Sequence, residues 1–190
     1  MGFFSRLGEC FTYRYPFETS LKMKIIRVLL TGNRPPDKVI WRWDGEPYMI
    51  RWHIIPRNRL FNIYFHNFRQ SDDDRALHDH PWWSMSYILE GEYDEILPGP
   101  TFHSPDPENR FRNNVADTIA VRRHAGLRHL NSRSADSAHR VRLVDGKPVW
   151  TIFITKRITR KWGFYCPQGW VPREKFTDDK GNPQGEGCGA

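Results

Sequence analysis

Between residues 39 and 165 the chain passes through short blocks of β-branched and aromatic residues at 39–43, 48–55, 60–68, 82–89, 118–121, 140–143, 149–155 and 162–165. Each block has the length of a strand and the residue types that suit a pleated surface. Turn formers separate them at Asp44-Gly45, Pro56-Arg57-Asn58, Gly91, Pro98-Gly99-Pro100, Asp145-Gly146 and Gly163. No apolar series keeps a helical spacing in this region. The pattern predicts an all-β sandwich or barrel. Ahead of it, Ser20 is a suitable N-cap for a helix over 21–30 that mixes Lys22, Lys24 and Arg27 with apolar residues, and Gly32 stops it. About three turns long, this helix is expected to lay its apolar side on its own domain rather than on a membrane. Asn33-Arg34-Pro35-Pro36 follows as a linker, and 173–190 is polar and glycine-rich, predicting a flexible tail. The expected division is a helical arm and linker over 1–36, a β domain over 37–172 and the tail.

Chemistry concentrates in His78-Asp79-His80-Pro81-Trp82 and the run that follows it to Gly91. Two histidines one residue apart on a strand share a face, which makes half of a metal site. The same alternation puts Trp82, Ser84, Ser86 and Ile88 on that face. Trp82, Ser84 and Ser86 are therefore candidates for the wall of a ligand pocket. His66, on the preceding strand, and Arg75, just before the first histidine, are candidates for bracing the site from behind. His53, His103 and His124 are taken as structural. The acidic run Asp72-Asp73-Asp74 lacks the spacing and closing Glu of an EF-hand and is taken as a turn.

Composition narrows the class. A chain of 190 residues can bury one sizeable core, and 8 tryptophans exclude a disordered or fibrous protein. The net charge of +7 suits an anionic small molecule or a nucleic acid. The basic residues are scattered, however, and no nucleic-acid motif accompanies them. Cys10, Cys166 and Cys188 are odd in number and widely spaced, so neither a disulfide framework nor a cysteine metal site is expected, which favours a reducing compartment. No segment nears the roughly 20 apolar residues of a spanning helix. No secretion signal or myristoylation pattern opens the chain, so a soluble, cytoplasmic protein without a membrane partner is expected.

The segment HDHPWWSMSYILEG resembles the first motif of the cupin superfamily, in which HxH, a Glu three or four residues on and a later Gly lie on neighbouring strands of a small jelly roll. His78, His80 and Gly91 match. The Glu does not, since Ser84 and Met85 hold its two places. For the single histidine of the second cupin motif, His139 opens a strand-turn-strand stretch through Asp145-Gly146, whereas His129 keeps a G-x-x-H spacing in a basic, loop-like context. His139 is the preferred ligand and His129 the alternative. Over 35–170 the chain is also similar to cupin-like proteins of phage and bacterial genomes.

The resemblance implies an all-β, cupin-type jelly-roll barrel holding a divalent transition metal on His78, His80 and His139. Three-histidine cupins of the cysteine-dioxygenase kind are the nearest pattern. Three neutral imidazoles leave the full charge on the metal, which favours an anionic or chelating ligand. Nitrogen ligands suit iron, and also nickel, copper or zinc. An iron-type oxygenase acting on an anionic small molecule or nucleotide is the leading expectation. The alternatives are a metal-dependent isomerase or epimerase, with His66 or Tyr87 as base, and a non-catalytic module binding a ligand or nucleic acid. A homo-oligomer is compatible with any of them.

Overall fold

The computed structural model describes residues 19–42, 45–72, 76–102, 117–126, 130–167, 169–176 and Cys188. One helix, α1 (Leu21–Thr31), precedes twelve strands. These are β1 (Lys38–Trp41), β2 (Pro47–His53), β3 (Phe61–Phe68), β4 (Leu77–His78), β5 (Ser84–Glu90), β6 (Glu92–Pro98), β7 (Thr118–His124), β8 (Asn131–Arg133), β9 (Arg140–Leu143), β10 (Val149–Lys156), β11 (Gly163–Cys166) and β12 (Gly169–Pro172). Each predicted block overlaps a strand. β4 supplies part of the strand expected at the HxH pair, whereas β6, β8 and β12 were not anticipated, because they are short or carry several charged residues.

Six strands form the first layer, in the order β1-β2-β3-β10-β5-β8, all antiparallel. Two three-stranded sheets, β12-β11-β4 and β7-β6-β9, complete the fold. A bridge between His78 and His139, with backbone N–H to carbonyl bonds of 2.9 Å in both directions, joins β4 to the residue that leads into β9. The two small sheets therefore act as one second layer facing the first. Ile88, Val149 and Phe68 of the first layer pack there against Tyr93, Val141 and Leu143 of the second. The result is an all-β sandwich of two antiparallel layers, in keeping with the expected jelly roll. Its hydrogen-bond ladder does not close into a complete barrel among the described residues; side chains seal the interior instead.

The outer face of the first layer is apolar, and α1 covers it. Ser20 accepts a bond from the Met23 amide at 3.2 Å, and Gly32, in the left-handed region, returns its N–H to Val28 at 2.8 Å. Met23 sinks among Ile50, Trp52, Phe65 and Trp150, flanked by Ile26 and Leu30. The helix lies on the sheet, as expected. Gly91 makes the sharp β5–β6 turn at φ +88°, where a Cβ would come within 2.8 Å of the Pro148 carbonyl oxygen.

Two expectations are corrected by the cysteines. Cys166 on β11 and Cys188 form a disulfide with a Cα–Cα separation of 5.3 Å, and both are buried. Spacing along the chain carried no sign of it, because the two partners lie 22 residues apart with no motif linking them. The premise for a reducing compartment is thereby lost, and so is the expectation of unpaired cysteines; most of the stretch expected to be a flexible tail lies outside the described residues. Among the described residues no helix is long and apolar enough to cross a membrane.

The disulfide spans 22 residues. Closing a loop of that size stabilises the native state by roughly 3 kcal/mol in the chain-entropy treatment. Reduction should therefore lower unfolding stability in denaturant by about that amount, and unreduced digests should yield a peptide linking Cys166 to Cys188. Equal stability before and after reduction would count against the bond.

Candidate metal centre

The HxH motif acts through a strand of only two residues. β4 contributes His78, paired with Phe164 on one side and with His139 on the other. His80 lies just beyond the strand, its amide bonded to the Ala135 carbonyl at 3.1 Å. Asp79 between them points away from the two rings and is fully buried. Its carboxylate accepts from the Gly163 amide at 2.7 Å, from Arg160 at 2.5 Å and from Trp170 Nε1 at 3.2 Å. Pinning Asp79 on one side fixes both imidazoles on the other.

The three histidine rings form a near-equilateral triangle, each pair of centroids being 5.1 Å apart. One nitrogen from each lies within 4.8 Å of the others, and His80 Nε2 stands 2.8 Å from His139 Nε2. Adjacent ligand nitrogens on one metal, at bonds of about 2.1 Å, fall about 3 Å apart. The pair has the separation a shared ion requires. The ring nitrogens of His78 have no hydrogen-bond partner among the described residues, which leaves that imidazole available to a ligand.

Behind His139 stands a residue the sequence reading missed. Glu95, on β6, has no solvent exposure, and its Oε1 lies 2.9 Å from His139 Nδ1. The same carboxylate accepts from Arg123 Nε at 2.8 Å, Arg133 Nε at 2.6 Å and Asn131 Nδ2 at 2.8 Å. Burial acts to raise its pKa, but the hydrogen bonds from His139 and Arg133, with the guanidinium charge, outweigh burial and hold it at about 2. An ionised carboxylate can only accept, so His139 carries its proton on Nδ1 and turns the Nε2 lone pair toward His80. Metal-binding histidines are commonly oriented this way. The available signal was Glu95 itself, a carboxylate on the inward alternation Tyr93, Glu95, Leu97.

Burial lowers the pKa of His78 to about 4, and burial with the neighbouring His139 and His78 lowers that of His80 well below its ordinary value. Both are neutral imidazoles near pH 7, the form that binds metals.

The remaining candidates are placed as follows. Trp82 stacks on His80 with centroids 6.4 Å apart, and its Nε1 is buried without a partner. Trp162 stacks on the same ring at 6.2 Å. Ser84 and Ser86 do face inward, though not by continuing the histidine strand, which breaks at a bend over Pro81 and Trp82. They face inward because they pair with Thr155 and Phe153 of β10. Ser86 hydrogen-bonds Tyr93. Tyr87 alternates onto the opposite face. His66 accepts from Arg51 Nε at 2.9 Å and hydrogen-bonds none of the three histidines, so the expected brace behind a ligand comes from Glu95 instead. Arg75 and His129 lie outside the described residues.

No family model and no curated protein matches the chain. Among solved structures it is similar to an uncharacterised conserved protein with a double-stranded β-helix domain from Klebsiella pneumoniae, at 13% identity over 68% of this chain and 92% of that one, with a TM-score of 0.43. It is also similar to an RmlC-like cupin protein from Ralstonia eutropha, at 12% identity over 78% and 71% of the two chains, with a TM-score of 0.41. A third likeness is to KdgF from Halomonas sp., at 12% identity over 67% and 90%, with a TM-score of 0.40. These are likenesses of fold alone, to cupins and double-stranded β-helices.

Two expectations follow from the site. Glu95→Gln removes the charge behind His139 and strands two guanidinium groups, so metal affinity measured by chelator competition should fall about 10- to 100-fold. An unchanged affinity would mean that Glu95 only joins the layers. The second concerns pH. Unfolded histidines take up protons below pH 6.5, whereas native His78 resists protonation until about pH 4. The unfolded state then binds more protons, and the metal-free protein should lose stability as pH falls from 6.5 to 4. Glu95 titrates at about 2 in the native state against 4.5 ordinarily, so its contribution is full above pH 4.5 and is lost as pH falls toward 2. Denaturant midpoints across pH 3 to 7 test this, and His78→Phe should flatten the upper part of the curve.

Proposed function

We propose that His78, His80 and His139 hold one divalent transition metal, iron foremost, with nickel, copper or zinc as the other candidates. On this reading the protein is a metal-dependent, oxygenase-type enzyme acting on an anionic small molecule or nucleotide. The observation that carries the proposal is the imidazole triangle with the Glu95 carboxylate behind one corner. A divalent ion bound there would supply Lewis-acid and redox chemistry with coordination positions left open.

The chain's own residues do the remaining work. His78 and His80 present neutral nitrogens. Glu95 keeps His139 in the binding tautomer. Because all three ligands are uncharged, the ion's full charge faces the ligand, and a carboxylate or phosphate is the natural complement. Trp82 and Trp162 stack on the ring of His80 and shield it from water, while the small side chains of Ser84 and Ser86 line the inner face of β5. An isomerase reading is weaker, since Tyr87 faces away and the His66 nitrogen nearest Arg51 is already engaged.

Elemental analysis of protein purified without added metal should find close to one transition-metal ion per chain. His78→Ala, His80→Ala and His139→Ala should each empty the site and lower thermal stability with it, whereas His129→Ala should retain metal. Loss of metal in His129→Ala with retention in His139→Ala would overturn the ligand assignment. Metal-free wild type showing salt-sensitive binding of DNA or RNA would favour a binding module instead.

A further inference from the structure

Four polar residues stand side by side across the first layer. Lys38 of β1 pairs with Arg51 of β2, Arg51 with His66 of β3, and His66 with Thr151 of β10. Residues opposite one another in neighbouring strands share a face. This rung shares the inner face of the layer, where the same alternation places Phe68, Val149 and Ile88.

Each member offers a hydrogen-bond donor. Arg51 Nε donates to His66 Nε2 at 2.9 Å, so the neutral His66 ring must carry its proton on Nδ1. That Nδ1 is buried and has no partner, and the same holds for Thr151 Oγ1. Neither residue is more than 2% exposed. Arg51, its guanidinium carbon 4.8 Å from the Tyr64 ring centroid, has no carboxylate in ion-pair reach among the described residues. Other arginines do: Arg123 and Arg133 meet Glu95, Arg122 and Arg142 meet Asp94, and Arg160 meets Asp79. The charges that bear on Lys38 are those of Arg51, Arg57 and Arg173, which together with burial lower its pKa. Buried polar atoms such as His66 Nδ1 and Thr151 Oγ1, left without a partner beside an unpaired guanidinium, are costly unless something supplies one.

We propose that Lys38, Arg51, His66 and Thr151 form an oxyanion receptor that binds the carboxylate or phosphate group of the ligand whose other end meets the histidine site. The position of that other end rests on the metal reading above; the receptor itself does not need the metal. The facing sheets of such a fold stand about 10 Å apart, which limits the ligand to a small organic anion. Tyr64 and Phe153 stack against His66 at 5.5 and 5.3 Å and give the receptor apolar walls.

Calorimetric titration of the full chain with two probes, inorganic phosphate and succinate, tests the proposal. It is run on metal-loaded wild type and on a metal-free His78→Ala/His80→Ala variant. Saturable binding of at least one probe is expected in both proteins, weakened by salt; preference for phosphate indicates a phosphate ester and preference for succinate a carboxylate. Arg51→Gln and Lys38→Gln should each weaken that binding about tenfold or more. Lys38 is exposed at the rim, so its variant remains informative if Arg51→Gln fails to fold. Addition of the bound probe should also shift the His66 Nδ1 resonance in nitrogen-15 spectra. No saturable binding of either probe to wild type, or wild-type affinity in Lys38→Gln together with an unmoved His66 resonance, overturns the receptor. A wild type that binds metal but neither probe loses the receptor and keeps the metal site; one that binds a probe but no metal loses the metal site alone.

Discussion

A carboxylate sealed from water holds this molecule together. Glu95 comes from β6 in the second layer and is gripped by Asn131 and Arg133 from β8 in the first, by Arg123 from β7 and by His139 at the head of β9. Removing a carboxylate from water costs several kcal/mol, and only a full complement of donors offsets that cost. The donors come from two strands and the start of a third, so the layers must close in one register for the charge to be tolerated. The same constraint orients His139. Assembly of the fold and preparation of the site are consequently one event at this residue.

Asp79 plays a matching part on the other side of the second layer. Its carboxylate fastens the loop before β11, through Arg160 and the Gly163 amide, to the strand carrying His78. A strand of two residues has little ladder of its own to hold its side chains. Here the alternation of the chain is enforced by burying the middle residue outward, which leaves the flanking histidines no choice but to face in. The reciprocal backbone bonds between His78 and His139 then bring the third ring to the other two.

The amphipathic helix, the strand-rich body and the HxH pair were legible because each is a local pattern. His139 was legible only through resemblance to a known motif, since nothing in its neighbourhood distinguishes it from His129 except the strand that follows. Glu95, Arg51 and the disulfide were not legible, and for one physical reason. Their significance lies in partners 28 to 44 residues away for Glu95, 15 for Arg51 and 22 for Cys166, and periodicity carries no information across such distances. Ser84 and Ser86 show the hazard of extending a local rule. They do face inward, yet the alternation that suggested it is interrupted at Pro81, and it is the β10 register that turns them in.

The arrangement also explains why a jelly roll of this size tolerates so polar an interior. In a simple sandwich the facing surfaces supply the main core. Here part of the inner space is given to imidazoles, guanidinium groups and a carboxylate, leaving a modest inner cluster around Ile88, Val149 and Tyr93. The largest fully buried apolar side chains, Trp52, Phe65 and Met23, sit on the outer face of the first layer beneath α1. Trp52 and Trp150 stack there with centroids 6.1 Å apart, and Phe65 lies 5.0 Å from Trp150. Burying apolar area outside the sandwich stabilises the same strands that carry Arg51, His66 and Thr151 on their other face. Because successive residues alternate between faces, β2, β3 and β10 each contribute at once to an apolar core under the helix and to the partly polar wall inside. The helix is therefore part of what makes the interior chemistry sustainable: without its cover, the apolar face that stabilises those three strands would meet water, and the strained company of charges within would have little to hold it in place.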